Sequence, residues 1–396
     1  MKYISTRSLS EEKNFSEIIV SGVAENGGLY LPKSIPLIDK DLMDIWQKLS
    51  YTELATEIIS LFATDMPKSE INNFCASACK NFKNNIAPIE KIEDNLFLLK
   101  LYQGPTLSFK DYALQFLGNM VDYILSKKGI KKQIITATSG DTGPAAIYGF
   151  KDSKNVNIRV YFPDKNVSKI QREQMMSIKQ SNIEAIPMDC DFDECQRLVK
   201  ESFLDDKNGN LMTVNSINIG RIVAQIVYYF WTFLQMGRKP INFFVPTGNF
   251  GNIFTGYLAK RMGIDIKLSI CVNENDTLKR FYDTGNYKPN AVIQTPANAI
   301  DIANPSNFER IIYYLGGVDE NIKYINNLKE KGSYKVSDAL LKEFRNNFNV
   351  FQCNSKEVYK KYDGICPHTS VALDCAIKNR DNLIDVVIAT ADPIKF

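Results

Sequence analysis

The feature that most constrains this chain is a change of texture at residue 96. From there, short apolar runs at 96–99, 133–137, 157–162 and 183–186 alternate with segments of helical spacing. Runs of that length between turn residues read as strands, and parallel strands need a long crossover between them. The alternation therefore predicts βαβ units around a parallel sheet. A second set opens at 211–214, passes through a long helical pattern at 221–235 and strand-like runs at 241–245 and 266–272, and closes at 385–391. Two α/β layers follow, with a cleft that gathers the strand-end loops, where open parallel sheets bind ligands. Upstream, 39–62 and 69–82 carry Leu, Ile, Trp and Phe at helical spacing, with Pro67 as a helix-start residue between them. The expected organisation is a mostly helical N-terminal region at 1–95, an α/β domain at 96–210 and a second at 211–396. The segment 321–347 is charged and helical in pattern.

Composition narrows the function classes. Lysine and arginine total 48 against 45 for aspartate and glutamate, so no strong field exists to draw nucleic acid or a charged membrane surface. Any anionic ligand must be held locally. The most apolar long stretch, 222–234, contains Gln225 and Thr232 and is too short to span a bilayer, and the opening residues form no apolar signal core. The expectation is a soluble cytoplasmic protein without membrane attachment. None of the eight cysteines forms a C-x-x-C pair, and Cys75 and Cys79 lack further ligands nearby, so no metal is expected.

Chemistry concentrates in five loops. Gly104 and Pro105 precede a helical pattern that begins near Lys110. There an amine sits among unsatisfied N–H groups and loses its proton more readily, which suits Schiff-base chemistry with a carbonyl such as that of pyridoxal phosphate. An exposed surface lysine is the plain alternative. Pro246-Thr-Gly-Asn-Phe-Gly-Asn252 joins a strand-like run to a helical one, a corner whose backbone N–H groups can converge on phosphate. Thr138-Ser-Gly-Asp-Thr-Gly143 is a similar corner, offering Ser139 and Thr142 to a carboxylate or phosphate, with capping as the competing role for these side chains and Asp141. In Asn215-Ser-Ile-Asn-Ile-Gly-Arg221, Arg221 falls in a helix's first turn, where a cation calls for an anionic partner; a capping Ser or Asn with a surface arginine is the plain alternative, and Asn218 and Arg221 are the candidates for a substrate-phosphate pocket. Thr390 ends the last strand-like run.

The segment GPTLSFKDYALQF at 104–116 resembles the cofactor-lysine segment of threonine synthases, fold-type II pyridoxal-phosphate enzymes. The opening MKYISTR, GGLYLP ending at Pro32, TATSGDTG at 136–143, NSINIGR at 215–221, PTGNFGN at 246–252 and TADPIKF at 390–396 resemble further blocks of that family, in its order. The resemblance covers the whole chain. It implies the fold-type II architecture, with Lys110 binding the cofactor covalently and acting as the catalytic proton carrier. It implies a phosphate cradle at Gly248, Asn249, Phe250 and Gly251, and Thr390 against the pyridine nitrogen. Ser139, Asp141 and Thr142 then face the substrate. The implied reaction converts O-phospho-L-homoserine and water to L-threonine and phosphate. Another fold-type II activity, such as serine or threonine dehydration or a cysteine-synthase-like replacement, is one alternative, and a non-catalytic binding protein on the same fold is another. Two departures stand out: Asp392 occupies the position of a family histidine, and Cys366 precedes Pro367 where an acidic residue is usual. The sole histidine, His368, receives no role.

Overall fold

The computed structural model describes residues 1–396, with the side chain of Asp193 set aside. Both expected parallel layers are present. The smaller sheet runs Ile183–Met188, Val156–Pro163, Lys132–Ala137 and Leu211–Met212 in spatial order, all parallel. The larger runs Asn349–Gln352, Ile266–Val272, Ile241–Pro246, Ile384–Ala389, Leu96–Lys100 and Ile89–Glu93, with only the last strand antiparallel. Every residue of Ile241–Pro246 is buried, as an interior strand covered on both faces requires.

Sheet membership corrects the expected boundaries. A division at 96 assigns Leu96–Lys100 to the first α/β domain, yet it pairs with Ile384–Ala389 in the larger sheet, Leu99 opposite Ile388. A division at 211 assigns Leu211–Met212 to the second, yet it edges the smaller sheet beside Lys132–Ala137. A parallel strand finds its neighbours across a crossover, so periodicity identifies the strand and leaves its partners open. The N-terminal region holds the expected helices Lys40–Trp46, Tyr51–Phe62 and Lys68–Cys79. It also holds an antiparallel sheet of Ser8–Lys13, Tyr3–Ser5 and Tyr30–Pro32 that the pattern does not suggest, because two of these strands have three residues, too few to display a period.

Three features position the site. Helix Ile219–Gln235 is buried on nearly every side and is thus a core element rather than a surface one; Tyr229 meets Phe243 at 4.8 Å and Trp231 meets Tyr51 at 5.5 Å, both edge to face. Helix Asp111–Lys128 crosses Thr142–Phe150 at Gly118 and Gly149, so closely that a Cβ on Gly118 would lie 1.9 Å from the Gly149 carbonyl oxygen. The loop before Lys110 is laced to the end of the larger sheet, with Phe109 N donating to Thr390 O at 2.8 Å and Asp392 N to Leu107 O at 3.1 Å. Among the described residues, no helix is long and apolar enough to cross a membrane.

Candidate active site

Lys110 occupies the N-cap position of Asp111–Lys128. Its amine lies 3.6 Å from Asp141 Oδ2 and 4.8 Å from the centre of the Phe109 ring. Burial is the main influence on it; Asp141 opposes that effect while Arg221 and Lys395 reinforce it, and the amine's pKa falls to about 8. The sequence argument rests on the helix terminus, whereas the structure puts desolvation first. The loop itself is braced by Asp111, whose carboxylate accepts from Thr106 N at 2.9 Å, Thr106 Oγ1 at 2.8 Å and Gln115 Nε2 at 2.9 Å.

The glycine-rich corner after Ile241–Pro246 has the form of an anion cradle. Thr247 N continues the strand's pairing by donating to Cys271 O at 2.9 Å, but among the described residues the N–H groups of Gly248, Asn249, Phe250 and Gly251 reach no protein acceptor. Phe250 adopts a left-handed conformation with φ 63°, unusual for an aromatic residue. Its ring is held edge to face by Phe308 at 5.4 Å and Phe348 at 5.8 Å. This anchoring offsets the backbone strain and turns successive N–H groups to one side at the start of Gly251–Arg261. A Cβ on Gly248 would sit 2.8 Å from the Ala299 carbonyl oxygen, while one on Gly251 would make only ordinary contacts, the nearest at 3.6 Å.

Thr390 is buried with no partner for its hydroxyl. Its backbone is fully used, N donating to Thr369 Oγ1 at 3.2 Å and O accepting from Phe109. A buried hydroxyl left unpaired by the protein is exceptional.

The 138–143 corner divides its labour differently from a simple cap. Thr138 Oγ1 takes the turn's donors, Gly140 N at 3.1 Å and Gly143 N at 3.0 Å. The Ser139 and Thr142 side chains, both half-buried, make no hydrogen bond among the described residues. Asp141 occupies the N-cap position of Thr142–Phe150 without capping it. Its side chain makes no capping bond, and it sits between two ammonium groups, Lys395 at 2.6 Å and Lys110 at 3.6 Å. Burial alone would raise its carboxyl, but the two lysines hold it well below the usual range.

Arg221 is 3% exposed and donates through Nη1 to Val214 O at 3.1 Å, leaving Nε buried and unpartnered. Burial pushes its pKa down to about 10, and among the described residues no carboxylate pairs with it. A buried guanidinium in the first helical turn therefore retains a demand for an anion. Asn218 does not join it. Its Nδ2 donates to Ile19 O at 2.9 Å and Thr213 O at 3.1 Å, and its Oδ1 accepts from Gly220 N at 3.0 Å. The sequence places Asn218 in the substrate pocket; the structure makes it a fully engaged cap tethering the N-terminal region.

His368 acts through its backbone partner. Its Nε2 accepts from Ala299 N at 3.0 Å, its ring meets Phe396 edge to face at 5.2 Å, and burial lowers its pKa to about 4, so it is a neutral acceptor. It fixes the short turn Asn298–Ile300, which seats against Gly248. Cys366 caps Pro367–Lys378, its Sγ accepting from Thr369 N at 3.4 Å. Lys395, Asp111 and Gln171 complete the site. The sequence reading missed them, and only the inclusion of Lys395 and Asp111 in the matched blocks hints at their place.

A carbonyl-reactive amine, a phosphate cradle and an unpartnered hydroxyl together match the aldehyde, phosphate and ring nitrogen of pyridoxal phosphate, so the residues present fit that cofactor. The chain matches the family described as "Threonine synthase N terminus" over residues 2–79 and "Pyridoxal-phosphate dependent enzyme" over 84–342. It is 37% identical to a threonine synthase of Pseudomonas aeruginosa, covering 100% of this chain and 89% of that protein. Among solved structures it is similar to a pyridoxal-phosphate-bound threonine synthase from Brucella melitensis, with a TM-score of 0.95 and 37% identity over 99% of this chain and 89% of that one. The yeast threonine synthase structure gives 0.94 and 34%, covering 100% and 88%. By fold, site and sequence alike, this chain belongs to the threonine synthase family and is a pyridoxal-phosphate-dependent lyase that acts on a phosphate ester to form L-threonine.

Proposed function

We propose that the site turns over O-phospho-L-homoserine with a division of labour set by the geometry around Lys110. When bound, pyridoxal phosphate supplies an electron sink for carbanionic charge developed on the substrate. Lys110 would hold it through Nζ, and the same amine is placed to move protons at the substrate's Cα and Cβ. The N–H groups of 248–251 take the cofactor phosphate, and Thr390 Oγ1 takes the ring nitrogen. A hydroxyl there leaves that nitrogen without a full counter-charge. The unused hydroxyls of Ser139 and Thr142 suit the substrate carboxylate. Arg221 suits the substrate phosphate, offering a planar fork that the protein itself leaves underused. The absence of any disulfide among the cysteines supports a reducing, cytoplasmic setting.

The observation that supports this reading is the largely shielded Lys110 amine in a loop whose Phe109 N donates to the backbone of Thr390, the residue with the unpartnered hydroxyl. Borohydride trapping of the cofactor followed by peptide mapping tests it, and the tag is expected on Lys110. Lys110→Ala is expected to keep the fold by circular dichroism and to lose several orders of magnitude in phosphate release from O-phosphohomoserine. A tag on another lysine overturns the assignment.

A further inference from the structure

Lys395 is the one buried ammonium in the site that the reaction does not use directly. It ends the short turn Pro393–Lys395 and is 1% exposed. Its Nζ donates to Asp141 Oδ1 at 2.6 Å and to Thr106 O at 2.8 Å, the latter carbonyl also accepting from Gln174 Nε2 at 3.2 Å. Gln171 Nε2 donates to the same Asp141 oxygen at 2.9 Å. Lys110 reaches only the other oxygen, at 3.6 Å. The carboxylate of the site thus gives its short contact to the lysine that does no chemistry.

One carboxylate does not fully serve two ammonium groups shielded from solvent, and whichever holds it more closely gains more from it. We propose that Lys395 is a positioning residue for Lys110: by holding Asp141 as its own counter-ion it withholds that charge from Lys110 and keeps the reactive amine ready to give up its proton. The inference rests on Lys110 being the cofactor lysine. Every charged or titratable group facing Lys110 fits this balance. Arg221, from Ile219–Gln235, adds repulsion; His368, from Pro367–Lys378, is neutral; Asp111, beside Lys110, is occupied by Thr106 and Gln115. Asp141 is the carboxylate whose charge opposes loss of the proton, and Lys395, itself a repulsive charge toward Lys110, is bonded to it.

The test uses Lys395→Met, Lys395→Gln and Lys395→Arg in the cofactor-free protein. Trace labelling with acetic anhydride across pH, read by peptide mass spectrometry, reports the protonation midpoint of Lys110, and thermal unfolding reports the fold. The wild type and Lys395→Arg are expected near the value of about 8. Lys395→Met and Lys395→Gln are expected to move the midpoint up by at least about one pH unit, a tenfold loss of reactive amine at a given pH. Lys395→Gln keeps a donor, on a side chain one atom shorter, while losing charge, so it decides the matter even if Lys395→Met fails to fold. An unchanged midpoint in folded Lys395→Gln, or an equal rise in Lys395→Arg, overturns the proposal. Borohydride trapping on the wild type separates the two levels. A tag on Lys110 without a shifted midpoint sinks the role of Lys395 alone, and a tag elsewhere sinks the assignment beneath it.

Discussion

Asp392 stands where the family resemblance implies a histidine, and its side chain has local work. Oδ1 accepts from Ile394 N at 3.1 Å and caps Pro393–Lys395. Asparagine makes the same bond. Asp392→Asn is therefore expected to keep at least about a tenth of turnover, a barrier change below about 1.4 kcal/mol, measured by steady-state kinetics at matched cofactor occupancy; a collapse with cofactor bound would show a catalytic carboxylate. Arg221 belongs to the opposite class, since its Nε is left unpartnered. Arg221→Ala is expected to raise KM by about 10- to 100-fold, as loss of a charged hydrogen bond of roughly 1.5–3 kcal/mol implies. Cofactor affinity by equilibrium titration should stay unchanged. Loss of cofactor with KM intact would place the arginine at the wrong phosphate. Asn218 and Arg221 were indistinguishable as pocket candidates in sequence, because a cap and a ligand donor use the same residue types at a helix start.

At the scale of elements, distances between helices matter more than individual contacts. The crossing at Gly118 and Gly149 sets how near Lys110, at the head of one helix, lies to Asp141, at the head of the other. Gly118→Ala pushes a methyl group into a backbone carbonyl. It is expected to cost about 1–3 kcal/mol of stability, as overpacking does, and to lower turnover by loosening the pair; urea unfolding and kinetics check both. The glycine loop allows a similar ranking. Gly248→Ala strikes the Ala299 backbone, whereas Gly251→Ala meets only ordinary contacts, so the former is expected to lose more cofactor affinity in titration. Nothing in P-T-G-N-F-G-N itself ranks the two, because the clash comes from a segment fifty residues away.

For the molecule as a whole, His368 links folding to pH. Its folded pKa, about 4, lies below the unfolded value of 6.5, so the unfolded chain binds the proton first as pH falls. The stability contributed by the neutral imidazole is complete above about 6.5 and declines between about 6.5 and 4, by up to roughly 3 kcal/mol at 1.4 kcal/mol per pH unit. Asp111, raised by burial to about 6, acts in the opposite direction, so the difference between variants is the clean measurement. His368→Gln keeps an acceptor for Ala299 N and is expected to flatten the pH dependence of urea unfolding across that window. An identical slope would rule out the histidine as its source.

The layered α/β architecture, the helix start at Lys110 and the turn after Ile241–Pro246 could be read from the chain, because each is local. A strand's run length, a helix start and a Gly-Asn turn are written in neighbouring residues. Sheet membership was not, since Leu96–Lys100 and Leu211–Met212 take partners far away in sequence. Nor was the balance of charge. Asp141 reads as a cap in its own loop and becomes a counter-ion only when Lys395 arrives from the other end of the chain. Sequence determined which reactive groups this protein has; tertiary structure decided which of them are paired and which left free, because burial and ion pairing depend on groups brought together through space.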